Sequence, residues 1–190
     1  MKVFELIDIT SYANDKLIYK KLPDKNLSFG IDNICILHED YKFHEKETLE
    51  GVPFCFIQTY QDNILCAKQN IQIGKFARKL HFIGFSYWGN VHELLTIVYE
   101  DMTEEVVKIS FSDWSHTTDA DAFSRDFFKE DNISTVQTVL SSGRAVHLIY
   151  FHHCICELKG EKQIKELVLP DNILMHIFAI TLEKESEEID

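Results

Sequence analysis

The chain has 190 residues, 45% of them hydrophobic, and 31 Asp and Glu against 19 Lys and Arg give a formal net charge of -12 at pH 7. That is the length of one domain with material for a core burying roughly 70% of the unfolded surface, which excludes disorder for most of it. An acidic balance this strong supplies no general basic field, so neither nucleic acid nor a membrane surface is an expected partner.

Short β-branched or aromatic runs recur between Asp, Asn, Gly and Pro punctuation, and helical periodicity is scarce. The predicted strands are Val3 to Ile9, Leu27 to Leu37, Val52 to Gln58, Asn63 to Lys68, Ile71 to Ile73, Lys79 to Phe85, Glu93 to Glu100, Glu105 to Ser112, Ala145 to Leu158, Ile164 to Leu169 and Ile173 to Leu182. The region from Lys42 to Glu50 is rich in Lys and Glu and reads as a polar connection. Between Glu105 and Ser112 the alternation is cleanest. Val107, Ile109 and Phe111 share one face there, while Lys108, Ser110 and Ser112 share a wet one. Leu95, Ile97 and Tyr99 line one side of the preceding strand, and Asp101-Met102-Thr103 is short enough to make the two a hairpin.

Two segments break this rhythm. Asp113 to Asn132 is a polar excursion with six acids and two bases, and Glu183 to Asp190 holds five acids and one Lys, as a solvated tail does. The rest of the chain is nearly balanced in charge. These features predict an all-β, two-sheet antiparallel β-sandwich forming a single domain over residues 1–182, followed by an acidic tail at 183–190.

Acids interrupt the apolar N-terminus before a signal-peptide core forms, and no run reaches the length of a spanning helix. Five widely spaced cysteines, Cys35, Cys55, Cys66, Cys154 and Cys156, read as reduced core thiols. A cytoplasmic protein is expected.

Motifs that carry chemistry are few. His38-Glu39 precedes His44 by six positions rather than four, so the helical zinc-protease spacing is not met. In His152-His153-Cys154-Ile155-Cys156 an extended strand places His152, Cys154 and Cys156 on one face and His153 on the other. Three ligands strung along one strand span about 13 Å, too far for one tetrahedral ion. Core thiols beside a hydrogen-bonded histidine are expected instead. The chain holds no His-x-His pair, nucleophile elbow, phosphate loop or dinucleotide fingerprint, so no metal, cofactor or catalytic residue is predicted.

The aromatic residues offer more. Phe85-Ser86-Tyr87-Trp88-Gly89-Asn90 follows a strand and closes on a glycine, so it reads as a turn displaying two large rings, with His92 just beyond. Asp113-Trp114-Ser115-His116 ends another strand. Flat rings beside Asp, Asn and His suit a sugar, whose C–H faces stack on a π-system while its hydroxyls meet polar groups. Plugging of the sandwich ends by the indoles is the alternative reading, more so for Trp114.

Asp8-Ile9-Thr10-Ser11-Tyr12 with Asn14-Asp15, Gly51-Val52-Pro53-Phe54, Ala77 to Gly84 running into Trp88-Gly89, and Thr96-Ile97-Val98-Tyr99 together resemble a known module. Phe111-Ser112-Asp113-Trp114, Ile164 to Pro170 and Ile177 to Leu182 agree with it. The resemblance is to galactose-binding-domain-like jelly rolls of the kind attached to bacterial glycoside hydrolases. Asp101-Met102-Thr103 departs from their usual Asp-Gly-Thr, and no calcium loop of the type many of them hold is readable here. The resemblance implies a non-catalytic module binding a carbohydrate or small polar ligand through Tyr87, Trp88, Asn90 and His92 from one loop and Asp113, Trp114 and His116 from the other. A protein-interaction or self-association module and a small sugar-processing enzyme remain as alternatives.

Overall fold

The computed structural model describes residues 2–20, 36–37, 43–116, 133–142 and 146–185, and these build an almost wholly antiparallel β-structure. Most of the predicted strand from Leu27 to Leu37, His38, the acidic excursion beyond His116 and the last five residues lie outside the described residues. In chain order the strands are β1 (Lys2–Ile7), β2 (Ile18–Tyr19), β3 (Ile36–Leu37), β4 (Lys46–Leu49), β5 (Val52–Cys55), β6 (Ile64–Ala67), β7 (Asn70–Ser86), β8 (Val91–Tyr99), β9 (Glu104–Phe111), β10 (Ser115–His116), β11 (Ile133–Ser142), β12 (Val146–Val168) and β13 (Asp171–Glu185). The main sheet runs β1-β13-β7-β12-β11-β3-β2, with β6 beside β13, β8 and β10 beside β12, and β9 beside β8; β4 and β5 form a separate hairpin. Only β2 with β3, and a bridge between Ser86 and Asp113, pair in parallel among the described residues.

Gly74 and the Lys159-to-Lys162 stretch are expected to end strands, yet β7 and β12 pass through them as single elements of 17 and 23 residues. The ladder absorbs the interruptions as bulges. Register slips between Glu157 and Lys162 and between Ile164 and Glu166, and opposite the second slip Gly74 takes φ +65, which costs glycine no Cβ clash. Bulges bend strands, and the two bent strands serve both layers. The β8–β9 hairpin pairs with the C-terminal half of β12 and comes back over its N-terminal half, where the Cys156 thiol donates to Lys108 O at 3.3 Å.

The contact is close where β9 crosses β7. A Cβ added at Gly84 would stand 2.6 Å from the Phe111 ring and 2.3 Å from His176 O. Asp101-Met102-Thr103 turns the hairpin as expected, with Thr103 N–H donating to Asp101 Oδ1 at 2.9 Å, and Leu95, Ile97, Tyr99, Ile109 and Phe111 are buried. Its opposite face is less wet than predicted. Lys108 is exposed, but Ser110 and Ser112 are buried, and His92 Nδ1 covers Ser110 Oγ at 2.7 Å.

Two apolar cores flank the main sheet. Period-two alternation sends Leu80, Phe82, Cys154, Cys156 and Leu182 toward the β8–β9 side and Ile83, Phe85, Phe151 and Phe178 toward the side that packs with Phe54 of β5. β4 and β11 are strands where none was predicted, β4 occupying the expected polar connection. β13 also extends to Glu185, and Glu183, expected in the solvated tail, is 6% exposed. Among the described residues no helix is long and apolar enough to cross a membrane.

Candidate functional site

The end of β7 and the segment after β9, whose convergence the sequence left open, meet in the structure. Ser86 N–H donates to Ser112 O at 3.0 Å, and Trp114 N–H donates back to Ser86 O at 2.8 Å. Two side chains then fasten the turn between β7 and β8. Gly89 N–H donates to Asp113 Oδ2, and Asp113 N–H donates to Asn90 Oδ1 at 2.9 Å. Trp88 and Gly89 both take left-handed backbone, φ +61 and +107. Glycine does so freely, whereas a tryptophan there is strained and persists because its surroundings hold it.

The outcome is an indole 71% exposed to solvent on a clamped turn. Tyr87, predicted as its companion at the surface, is instead buried. Alternation turns its ring inward, where it meets the edge or face of Trp114 at 5.6 Å and His176 at 4.6 Å between centroids. Trp114 is half-buried against that ring, nearer the plugging role. Asn90 and Asp113 act as braces of the turn, His92 is exposed and bonds Ser110, and His116 enters β10 opposite Leu148. The two predicted loops thus converge, with Trp88 as their projecting ring. A cavity of about 590 Å³ lies elsewhere, lined by Lys16, Tyr19, Lys20, Tyr60 and Asp62 among others, and none of the seven predicted residues borders it.

A second constellation escaped the sequence. His81 and His153, on adjacent strands of the Phe54 side, lie 3.0 Å apart between Nδ1 and Nε2, and carboxylates flank them: Glu183 beside His81 at 3.2 Å and Glu50 beside His153 at 3.0 Å. Burial pushes His81 down to about 4, helped by the charge of His153 and opposed by Glu183. Burial also lowers His153, against the pull of Glu50. The hydrogen bonds from Ser134 and His153 hold the Glu50 carboxyl below its usual range, although burial works against them. That His153 points away from Cys154 was legible; that His81 and Glu50 would come to meet it was not, because each lies over 70 residues away.

Further along the sheet His176 is buried and lowered to about 3 by that burial, with Nδ1 donating to Asn63 Oδ1 at 2.8 Å and Nε2 left without a partner. Cys66, Cys154 and Cys156 are buried free thiols; burial raises Cys66, and Cys154 together with burial raises Cys156, which keeps both protonated. Among the described residues no three His, Cys, Asp or Glu are arranged to hold a metal ion.

The layered antiparallel strands with a core on each face of the main sheet define a β-sandwich domain. The family model described as the AziU2-like beta-sandwich domain matches residues 43–186, well over half of the chain, and the protein belongs to that family. No curated protein matches the sequence.

Proposed function

We propose that the protein is a non-catalytic binding module, a galactose-binding-like sandwich whose docking element is the Trp88 turn and whose ligand is a carbohydrate-like ring. The observation that supports this reading is the exposed indole on a left-handed, side-chain-braced turn. A turn braced before contact presents its indole to a sugar face with less ordering cost on binding. Asn90 Oδ1 and Asp113 Oδ2 are engaged in the brace, so the stacking face of Trp88 carries the reading. Tryptophan fluorescence and calorimetry against a glycan panel test the reading: a saturable response to a sugar that disappears in Trp88→Ala is expected, and silence across the panel refutes it.

A second reading has its own observation. Eight large apolar residues are exposed among the described ones, and Trp88, Leu94, Met102 and Val106 place four of them within the β7–β9 turns and hairpin. Leu94 opposes Lys108 and Thr96 opposes Val106, so Leu94 and Val106 are diagonal neighbours on the outer face of that hairpin. An exposed apolar pair with Trp88 and Met102 on the same hairpin and its turns would suit a protein contact. A silent glycan panel together with concentration-dependent association in sedimentation would establish this reading in place of the first.

A further inference from the structure

Under the β4–β5 hairpin four groups stand in a row: Glu183 Oε2 is 3.2 Å from His81 Nε2, His81 Nδ1 is 3.0 Å from His153 Nε2, and His153 Nδ1 is 3.0 Å from Glu50 Oε2. Each of the three contacts needs one hydrogen between its heavy atoms, and two neutral imidazoles bring only two. With both hydrogens on Nε2 the His153–Glu50 contact is empty. With both on Nδ1 the His81–Glu183 contact is empty. If each ring serves its own carboxylate, two ring lone pairs face one another. No neutral arrangement fills the row, which is one proton short.

The groups facing this row do not supply it. On β1, Lys2 reaches Glu183 at 3.2 Å, and Phe4 covers His81 with a ring contact. Lys79 on β7 pairs with Glu157 on β12, and Glu47 on β4 accepts from His44 N–H. β11 offers the Ser134 hydroxyl, which donates to Glu50 Oε2, and Phe54 of β5 closes over His153. The rings are 2% and 1% exposed, whereas the Glu50 side chain is 49% exposed and gives the row its contact with water. Glu50 and Gly51 have φ +51 and +80, the backbone of a two-residue type I′ loop, in which a glutamate has no intrinsic advantage.

We infer that the His81–His153 pair is a buried proton-binding site and that the proton it takes up from solvent docks the Glu50 turn onto the main sheet. The sign follows from reciprocity. Glu50 favours the charged form of His153, so a bound proton favours the docked position of Glu50 by the same factor. Opening here means release of the Glu50 carboxylate, with the rings still covered by Phe4 and Phe54. The device is a latch that tightens in acid.

Ring nitrogen spectra of the ¹⁵N-histidine-labelled chain between about pH 7 and about pH 2 read the uptake. His81 and His153 are expected to move with one shared midpoint, and the Gly51 amide to follow it. In Glu50→Gln the side-chain amide donates to His153 and completes the row without an added proton. That midpoint then falls by about one pH unit, a tenfold loss of proton affinity, and Gly51 no longer follows the titration. Lys2→Met, at an exposed position, moves the midpoint upward. Two separate midpoints, a Gly51 amide indifferent to the titration, or an unmoved midpoint in Glu50→Gln overturns the inference.

Discussion

On the β9 side of the main sheet Leu80, Phe82, Cys154 and Cys156 pack into an apolar core, whereas one residue along the same two strands His81 and His153 must find partners in each other, Glu50 and Glu183. The strands, the twist and the burial are shared, so the difference is only which side chain the pleat presents to which face. The apolar face is held by contact and is insensitive to pH where histidines titrate. The polar face is held only as long as its proton inventory matches its geometry, because an unpaired buried polar group costs its full desolvation.

The hardest test of the apolar face is Gly84→Ala. The new methyl collides with the His176 carbonyl and the Phe111 ring, neither of which has room to retreat, so a loss of about 3 kcal/mol is expected in urea denaturation. A variant as stable as wild type would show that β9 and β13 do not close on β7 at this point. On the polar face His153→Ala removes the partner of His81 Nδ1 in a buried ring and is expected to cost about 2 to 3 kcal/mol. Cys154→Ala, the next residue but on the other face, removes one sulfur and is expected to cost about 1 kcal/mol. Equal losses from the two would erase the distinction between the faces.

Acid sharpens the same contrast. His176 at about 3 and His81 at about 4 remain neutral in the folded protein while an unfolded chain protonates near the ordinary 6.5. The unfolded state therefore binds more protons below 6.5, and stability present above that pH is lost as pH falls toward 4, by a few kcal/mol in order of magnitude. Asp15, raised by its burial, works in the opposite sense at the low end of the range. Denaturation midpoints across this window in wild type and His176→Gln check the prediction: the slope is expected to flatten in the variant. The global loss and the local tightening at Glu50 have opposite signs, so one measurement cannot be mistaken for the other.

What the sequence revealed follows the pleat. The β8–β9 hairpin, its inward residues and the opposite facing of His153 and Cys154 all depend on neighbours one or two positions away, which a strand alternation encodes. β4 was hidden because Lys46, Glu47 and Thr48 leave Leu49 as its only apolar residue, and β7 and β12 were cut because bulges place glycines and charges where strand ends also place them. Tyr87 was misassigned for a related reason. Nothing local says on which side of a turn alternation resumes, and here Tyr87 continues the inward phase of Phe85 while Trp88 leaves it. The histidine row was out of reach altogether, since its four members come from the turn after β4 and from β7, β12 and β13.

Trp88 gives the smallest expected change in stability and the sharpest functional one. An indole 71% exposed contributes little burial, so Trp88→Ala is expected within about 0.5 kcal/mol of wild type. Trp88→Gly goes further. Left-handed backbone at φ +61 strains any side chain with a Cβ by about 1 kcal/mol or more, and glycine relieves it, so this variant is expected to unfold at the same or a slightly higher denaturant concentration than wild type. In the proposed binding role, the indole on this turn braced by Asp113 and Asn90 serves a ligand rather than the fold. If Trp88→Gly instead loses stability comparable to Gly84→Ala, the indole is a structural plug after all, and the binding role assigned to it falls with that result.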